Sequence, residues 1–128
     1  MVVMIYGIGT DMVDVKRIER LYEQYKDAFA LKILSRLEYL EWQSHPQPVA
    51  FLAKRFAAKE AVSKALNTGL RSPVSLANIG VVHDALGKPE LWFDESLQIW
   101  LDERGVKNVH VSFTDEAHYC LAFVVAEK

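Results

Sequence analysis

The segment 109–125 constrains this chain more than any other. Val109, Val111 and Phe113 alternate with His110, Ser112 and Thr114. After a turn at Asp115-Glu116-Ala117, Tyr119, Leu121, Phe123 and Val125 alternate again. Side chains two residues apart share one face of a strand, so two alternating runs across a short turn predict a β-hairpin. Upstream the apolar spacing is mostly helical. Asp14 can cap a helix whose Val15, Ile18, Leu21, Tyr22 and Tyr25 fall on one face. Ser35 with Glu38 is a capping-box pair, predicting a second helix to about Trp42. After the His45-Pro46-Gln47-Pro48 break, a long helix is expected from about Pro48 to Leu66, with Gly69 near its C-cap. Its apolar stripe includes Phe51, Leu52, Phe56, Val62 and Leu66.

Shorter elements complete the pattern. Residues 3–9 read as a strand with Met4, Tyr6 and Ile8 on one face. Gly7 and Gly9 lie on the other, where missing side chains admit another backbone or a ligand. Thr68 to Asn78 reads as loop. Ile79–His83 and Leu91–Phe93 read as strands about a turn-rich segment, Asp84 to Pro89. Asp94 can cap a helix carrying Leu97, Trp100 and Leu101, stopped by Gly105. Helices grouped mainly in the first half and antiparallel strands in the second predict an α+β fold, helices packed on an antiparallel sheet.

Length and charge narrow the function classes. The 128 residues, 51% of them hydrophobic, suit one domain spanning 1–128 with a core of its own. A net charge of −2, from 15 basic and 17 acidic residues, argues against a general nucleic-acid binder. One cysteine, Cys120, cannot form an intrachain disulfide, and no Cys/His group has zinc-ligand spacing. No apolar run reaches the roughly 18 residues that a membrane span needs. The opening residues lack a basic region and a small-residue cleavage site, so a cytoplasmic, reducing setting is expected. A P-loop, a GxGxxG fingerprint and a GxSxG elbow are all missing.

What remains is an acidic pair. Asp11 follows the glycine-bearing strand, and Glu60 sits in Phe56-Ala57-Ala58-Lys59-Glu60-Ala61-Val62-Ser63-Lys64-Ala65-Leu66. The plainer account of Asp11 is a helix cap, and of Glu60 a solvated pair with Lys64 worth only about 0.3–0.5 kcal/mol. Against that, alanines at 57, 58, 61 and 65 leave the helix slim enough for close approach. Two carboxylates from separate elements could jointly hold Mg²⁺, which favours few carboxylates, retained waters and substrate phosphates. Lys54, Arg55, Lys59, Lys64, Arg71 and Lys88 could meet the remaining phosphate charge. His83, His110 and His118 fall in strand-like segments and are assigned no catalytic part.

Gly7-Ile8-Gly9-Thr10-Asp11-Met12-Val13 with Arg17-Ile18 resembles the opening of the holo-[acyl-carrier-protein] synthase family. Arg55-Phe56-Ala57-Ala58-Lys59-Glu60-Ala61, Lys64-Ala65 and Thr68-Gly69 resemble its second signature. Gly87-Lys88-Pro89, His110-Val111-Ser112 and His118-Tyr119 extend the likeness, nearest to the proteobacterial branch. The resemblance implies a 4′-phosphopantetheinyl transferase-like fold. It also implies Mg²⁺-dependent transfer of 4′-phosphopantetheine from coenzyme A to a serine of apo-acyl carrier protein. The other product would be adenosine 3′,5′-bisphosphate, and the reaction would support fatty acid biosynthesis.

By the same likeness, Asp11 and Glu60 match metal ligands, with Glu60 and Lys64 expected to be catalytic. Arg55, Lys64 and the Gly87-Lys88-Pro89 turn match the coenzyme cleft. Lys16, Arg17 and Arg20 would dock the acidic carrier, and three subunits would share active sites between neighbours. Neither a nucleic acid nor a membrane is implied as a partner. Two departures stand out: Asp115 where many relatives carry histidine, and Asn67 where glycine is common. The alternatives are a non-catalytic coenzyme A or carrier-binding module of the same fold, another Mg²⁺-dependent phosphotransferase, and a structural oligomer.

Overall fold

The computed structural model describes residues 2–128. Strand β1 (Ile5–Asp14) leads into α1 (Val15–Tyr25), α2 (Asp27–Ile33), α3 (Arg36–Trp42) and the long α4 (Pro48–Ala65). A 3₁₀ turn (Leu76–Asn78) precedes β2 (Ile79–His83), β3 (Pro89–Phe93) and α5 (Glu95–Glu103). The hairpin β4 (Asn108–Glu116) and β5 (Tyr119–Glu127) closes the chain. The strands form two antiparallel sheets, β1-β5-β4 and β2-β3, so the α+β expectation holds with the sheet divided in two.

Local chemistry accounts for most boundaries. Asp14 Oδ1 accepts from the Lys16 amide at 2.9 Å and caps α1. The Ser35–Glu38 capping box is complete at α3, and Asp94 Oδ1 accepts from the Leu97 amide at α5. At the end of α4, Asn67 takes a left-handed φ of 62°. That conformation is what glycine usually supplies, and asparagine tolerates it better than other side chains.

Four expectations need correction. The first strand runs to Asp14, because β1 pairs with β5 along its length, with Asp11 opposite Ala122 and Val13 opposite Cys120. Asp11 is therefore inside a strand rather than past its end. The α2 helix was not expected; Lys26 at φ 51° breaks the chain after α1, and Ala30 and Ile33 bury α2 against the core. Asp115 and Glu116 belong to β4, so the hairpin turn falls at Ala117-His118 and places His118 outside a strand. Finally, Tyr25 is exposed although it shares the helical spacing of buried Ile18.

Helix α4 is the centre of the molecule rather than an amphipathic surface helix. Phe51, Leu52, Ala53, Ala57, Ala58, Ala61, Val62 and Ala65 are all buried around its circumference. It lies across β1 and β5, whose inward residues are small: Gly7, Gly9 and Val13 on one strand, Cys120, Ala122, Val124 and Ala126 on the other. The bulky Ile8, Met12 and Phe123 point away from α4 and are exposed at 61%, 63% and 40%.

Candidate active site

The glycines bring β1 and α4 into backbone contact. A Cβ at Gly9 would collide with the Ala61 carbonyl oxygen and lie 2.6 Å from the Ala65 nitrogen; one at Gly7 would collide with the Ala65 carbonyl. Two residues beyond Gly9, Asp11 therefore stands beside the outer turn of α4 that carries Glu60 and Lys64. The Lys64 ammonium donates to the Thr10 carbonyl at 2.9 Å and pairs with Asp11 Oδ1 at 3.2 Å. Burial raises the Glu60 pKa above the ordinary carboxylate range, the Asp11 charge raises it further, and Lys64 opposes both. Two carboxylates thus feel each other, with one ammonium acting on both.

That donor set fits a hard divalent cation. A Mg²⁺ ion takes one or two carboxylates and completes its shell with water and phosphate oxygens. Accordingly, no cluster of three or more His, Cys, Asp or Glu is needed, and none occurs among the described residues. A cation would also relieve the carboxylate repulsion that Lys64 relieves only in part.

The remaining cations divide differently from the expectation. Arg55 lines a cavity of about 350 Å³ with Glu41, His45, Phe51, Lys54 and Asp115. Gly87, Lys88 and Pro89 line another, of about 440 Å³, which shares Lys54, His83 and Asp115 with the first. Lys54 Nζ lies 3.5 Å from Asp115 Oδ2, an ion pair common to both cavities. The turn is preorganised, since Asp84 Oδ1 accepts from the Leu86 and Lys88 amides, each at 2.9 Å, and Gly87 takes φ 85°. Neither cavity is lined by Asp11, Glu60 or Lys64, so the acidic pair and the cleft are neighbouring but separate features of the chain.

One expected phosphate-binding cation is not available. Lys59 is fully buried, its Nζ donating to the Ile33 carbonyl at 2.7 Å, Glu38 Oε1 at 2.6 Å and the Leu76 carbonyl at 2.8 Å. Those bonds use all three ammonium donors. Glu38 was expected only as a helix cap, yet it also accepts from the Val81 amide at 2.8 Å and joins α3, α4 and β2. Burial lowers the pKa of both Lys59 and Arg55, with Glu38 opposing the shift in each. Lys16, Arg17 and Arg20 are exposed along α1. Arg17 lines a further cavity of about 470 Å³ with Leu21, Tyr25, Phe29, Lys32 and Phe56.

A family model for the 4′-phosphopantetheinyl transferase superfamily matches residues 7–124. The chain belongs to this superfamily. Within the 4′-phosphopantetheinyl transferases it is similar to a holo-[acyl-carrier-protein] synthase of Neisseria meningitidis. The two are 55% identical over 125 residues, 98% of this chain and 100% of the relative. A crystal structure of that synthase from N. meningitidis superposes with a TM-score of 0.95 over 98% of this chain and 100% of its own. A Bacillus anthracis holo-(acyl-carrier-protein) synthase, solved in complex with coenzyme A (3′,5′-ADP), is 35% identical with a TM-score of 0.80 over 98% of each chain. The likeness first carried by short motifs is borne out over nearly the whole length, together with the transferase-type α+β fold.

Proposed function

We propose that this phosphopantetheinyl transferase moves 4′-phosphopantetheine from coenzyme A to a serine of apo-acyl carrier protein, with Mg²⁺ held by Asp11 and Glu60. The observation that carries this reading is the convergence of Asp11, Glu60 and Lys64 where β1 crosses α4. The relatives' activity supplies the substrates, and the coenzyme A complex of the B. anthracis enzyme supports coenzyme A as the donor. In the reaction the serine Oγ attacks the pantetheine-side phosphorus. The bond to the departing nucleotide breaks, and adenosine 3′,5′-bisphosphate leaves.

Bound between the two carboxylates, Mg²⁺ would supply positive charge to the pyrophosphate oxygens. Lys64 is steadied by the Thr10 carbonyl and adds an ammonium to the same charge. Glu60, directly or through a water, would accept the serine proton. Arg55 and the Gly87-Lys88-Pro89 turn would hold the coenzyme, aligning its phosphorus for in-line attack. Lys16, Arg17 and Arg20 offer the acidic carrier a basic helix face, and the apolar cavity beside Arg17 gives that docking a non-ionic component.

The outward face of β1 and β5 supports self-association. Exposed Ile8, Met12 and Phe123 form an apolar surface of the kind that marks interfaces. Three copies meeting there, as the family likeness implies, would complete each site in the cleft between neighbours. We place the enzyme in the cytosol as one domain over 1–128. Among the described residues no helix is long and apolar enough to cross a membrane.

Intact-protein mass spectrometry of apo-acyl carrier protein incubated with the chain, coenzyme A and Mg²⁺ tests this function. The expected product is the carrier heavier by one phosphopantetheinyl group, absent with a chelator and reduced at least about a hundredfold in Asp11→Ala and Glu60→Ala. Full activity in either variant would sink the metal site. A folded chain that binds coenzyme A without modifying a validated carrier would establish the binding-module alternative instead. Arg17→Ala should lower the association rate with the carrier and flatten its salt dependence, with coenzyme A affinity unchanged. Stopped-flow binding at two ionic strengths reads this directly, and an unaltered rate would remove α1 from the docking surface.

A further inference from the structure

Arg55 and Lys59 lie one helical turn apart on α4 and share a single buried carboxylate, that of Glu38. The sharing is unequal. Lys59 takes Glu38 Oε1 at 2.6 Å, while the same oxygen also accepts from the Ser35 amide at 2.9 Å and the Ser35 hydroxyl at 3.1 Å. Oε2 accepts from the Val81 amide at 2.8 Å. Arg55 comes no nearer than 3.8 Å, Nε to Oε2, and its buried Nε has no hydrogen-bond partner among the described residues.

Arg55 is only 5% exposed, and its guanidinium is pressed against the Phe51 ring, Cζ 3.6 Å from the centroid. A buried donor left without a close partner is costly, and the nearest acceptor to this one is Glu38. The cavity beside Arg55 is the open direction. Its other charges are Glu41, Lys54 and Asp115. The last two pair with each other, and Glu41 lies beyond ion-pair distance of Arg55 although its charge acts on it.

We infer that Lys59 is a positioning residue: by saturating Glu38, it keeps the Arg55 guanidinium free of a bonded counter-ion and ready for an anionic group in the cavity. The anion's identity, a phosphate of coenzyme A, rests on the transfer reading above. Without the Lys59 ammonium, Oε1 of Glu38 would lose its strongest partner. A shift of about 1 Å would then bring Glu38 and Arg55 to charge-assisted hydrogen-bonding distance. An incoming phosphate would have to compete with a carboxylate already inside the protein. Phe51 braces the guanidinium, and Lys59 keeps it without a hydrogen-bonded counter-ion.

The test compares the full chain with Lys59→Met, Glu38→Gln/Lys59→Met and Arg55→Met, by calorimetric titration with coenzyme A and by steady-state kinetics with apo-acyl carrier protein. Lys59→Met should raise Kd and KM for coenzyme A about tenfold or more, with kcat within about twofold. The double variant should recover to within about threefold of the wild type, because a neutral amide cannot neutralise Arg55. Arg55→Met should bind weakly whichever residue stands at 59.

A purely structural Lys59 would lower the melting temperature without separating KM from kcat and without recovery in the double variant; that pattern overturns the inference. Should Lys59→Met not fold, the wild-type Arg55 Nε–H resonance, assigned by its loss in Arg55→Met, is read alongside the double variant. A free Nε–H that shifts on adding coenzyme A in both proteins supports the assignment. A resonance unmoved at saturation, or already bonded in the free wild type, rejects it. A wild-type chain that binds no coenzyme A removes the transfer reading itself, whereas normal binding with an unaffected Lys59→Met removes only the part given to Lys59.

Discussion

Cations of the same type on one helix meet opposite fates here. Lys64 is half exposed and tied to Asp11 and the Thr10 carbonyl; Lys59, five residues earlier, is sealed inside with Glu38. Sequence spacing does not separate them, because both lie among alanines and both could face solvent on an isolated helix. What separates them is the packing of α3 and β2 over one side of α4, a long-range fact. Asp11, Glu60 and Lys64 were legible from residue type and likeness, whereas the wider task of Glu38 was hidden behind its capping-box signature. Cys120 shows the same dependence on context. It is buried, and desolvation with the Asp115 charge pushes its thiol up to about 11. An unfolded thiol ionises near 9.0, so the stability tied to this group is complete below that pH and is lost as pH rises toward 11. Native Cys120 should therefore react with a thiol reagent at neutral pH at least about a hundredfold more slowly than in denaturant, and rapid stoichiometric labelling of the folded chain would contradict the burial.

Among the elements, β1 and α4 matter most, and their contact was partly visible in advance. Glycines alternating on a strand and alanines along a helix both announce close approach; that they approach each other becomes plain only in the fold. Gly9→Ala tests the consequence. Its Cβ meets backbone rather than a flexible side-chain end, so β1 must move off α4. A stability loss of about 1–3 kcal/mol is expected from such overpacking. Because Asp11 shifts with the strand, transfer activity should fall further than the melting temperature implies. Thermal unfolding and the carrier-modification assay together check this, and an unchanged pair of values would mean that the interlock is slack. The α2 helix escaped sequence reading for a different reason. It has seven residues and no side-chain cap, so burial of Ala30 and Ile33 sustains it.

For the whole molecule, the sheet has an unusual division of labour. Under α4 its inner face is built of Gly, Ala, Val and Cys beside Asp11, widening to Phe113 on β4. Its outer face carries larger apolar side chains at the β1–β5 pair, turning polar at His110, Ser112 and Thr114 on β4. Alternation in the sequence revealed two faces but not which was the inside, because the small residues win the interior only where α4 lies so close. Ile8→Glu places a charge on the outer face without touching that interior. If the proposed trimer forms through this face, light scattering should show the variant as a monomer with helix content preserved, and activity should fall with it. A variant that remains associated and active would relocate the interface.

The backbone interlock of β1 and α4 also separates what must stay constant from what can vary. The two carboxylates hang from segments that cannot come closer and have no slack to drift apart, so their spacing behaves like a fixed gauge. The groups proposed to meet the carrier hang from the α1 face, which does not set that gauge. Loops and surface charges around this scaffold can be exchanged while the carboxylate pair keeps its dimensions.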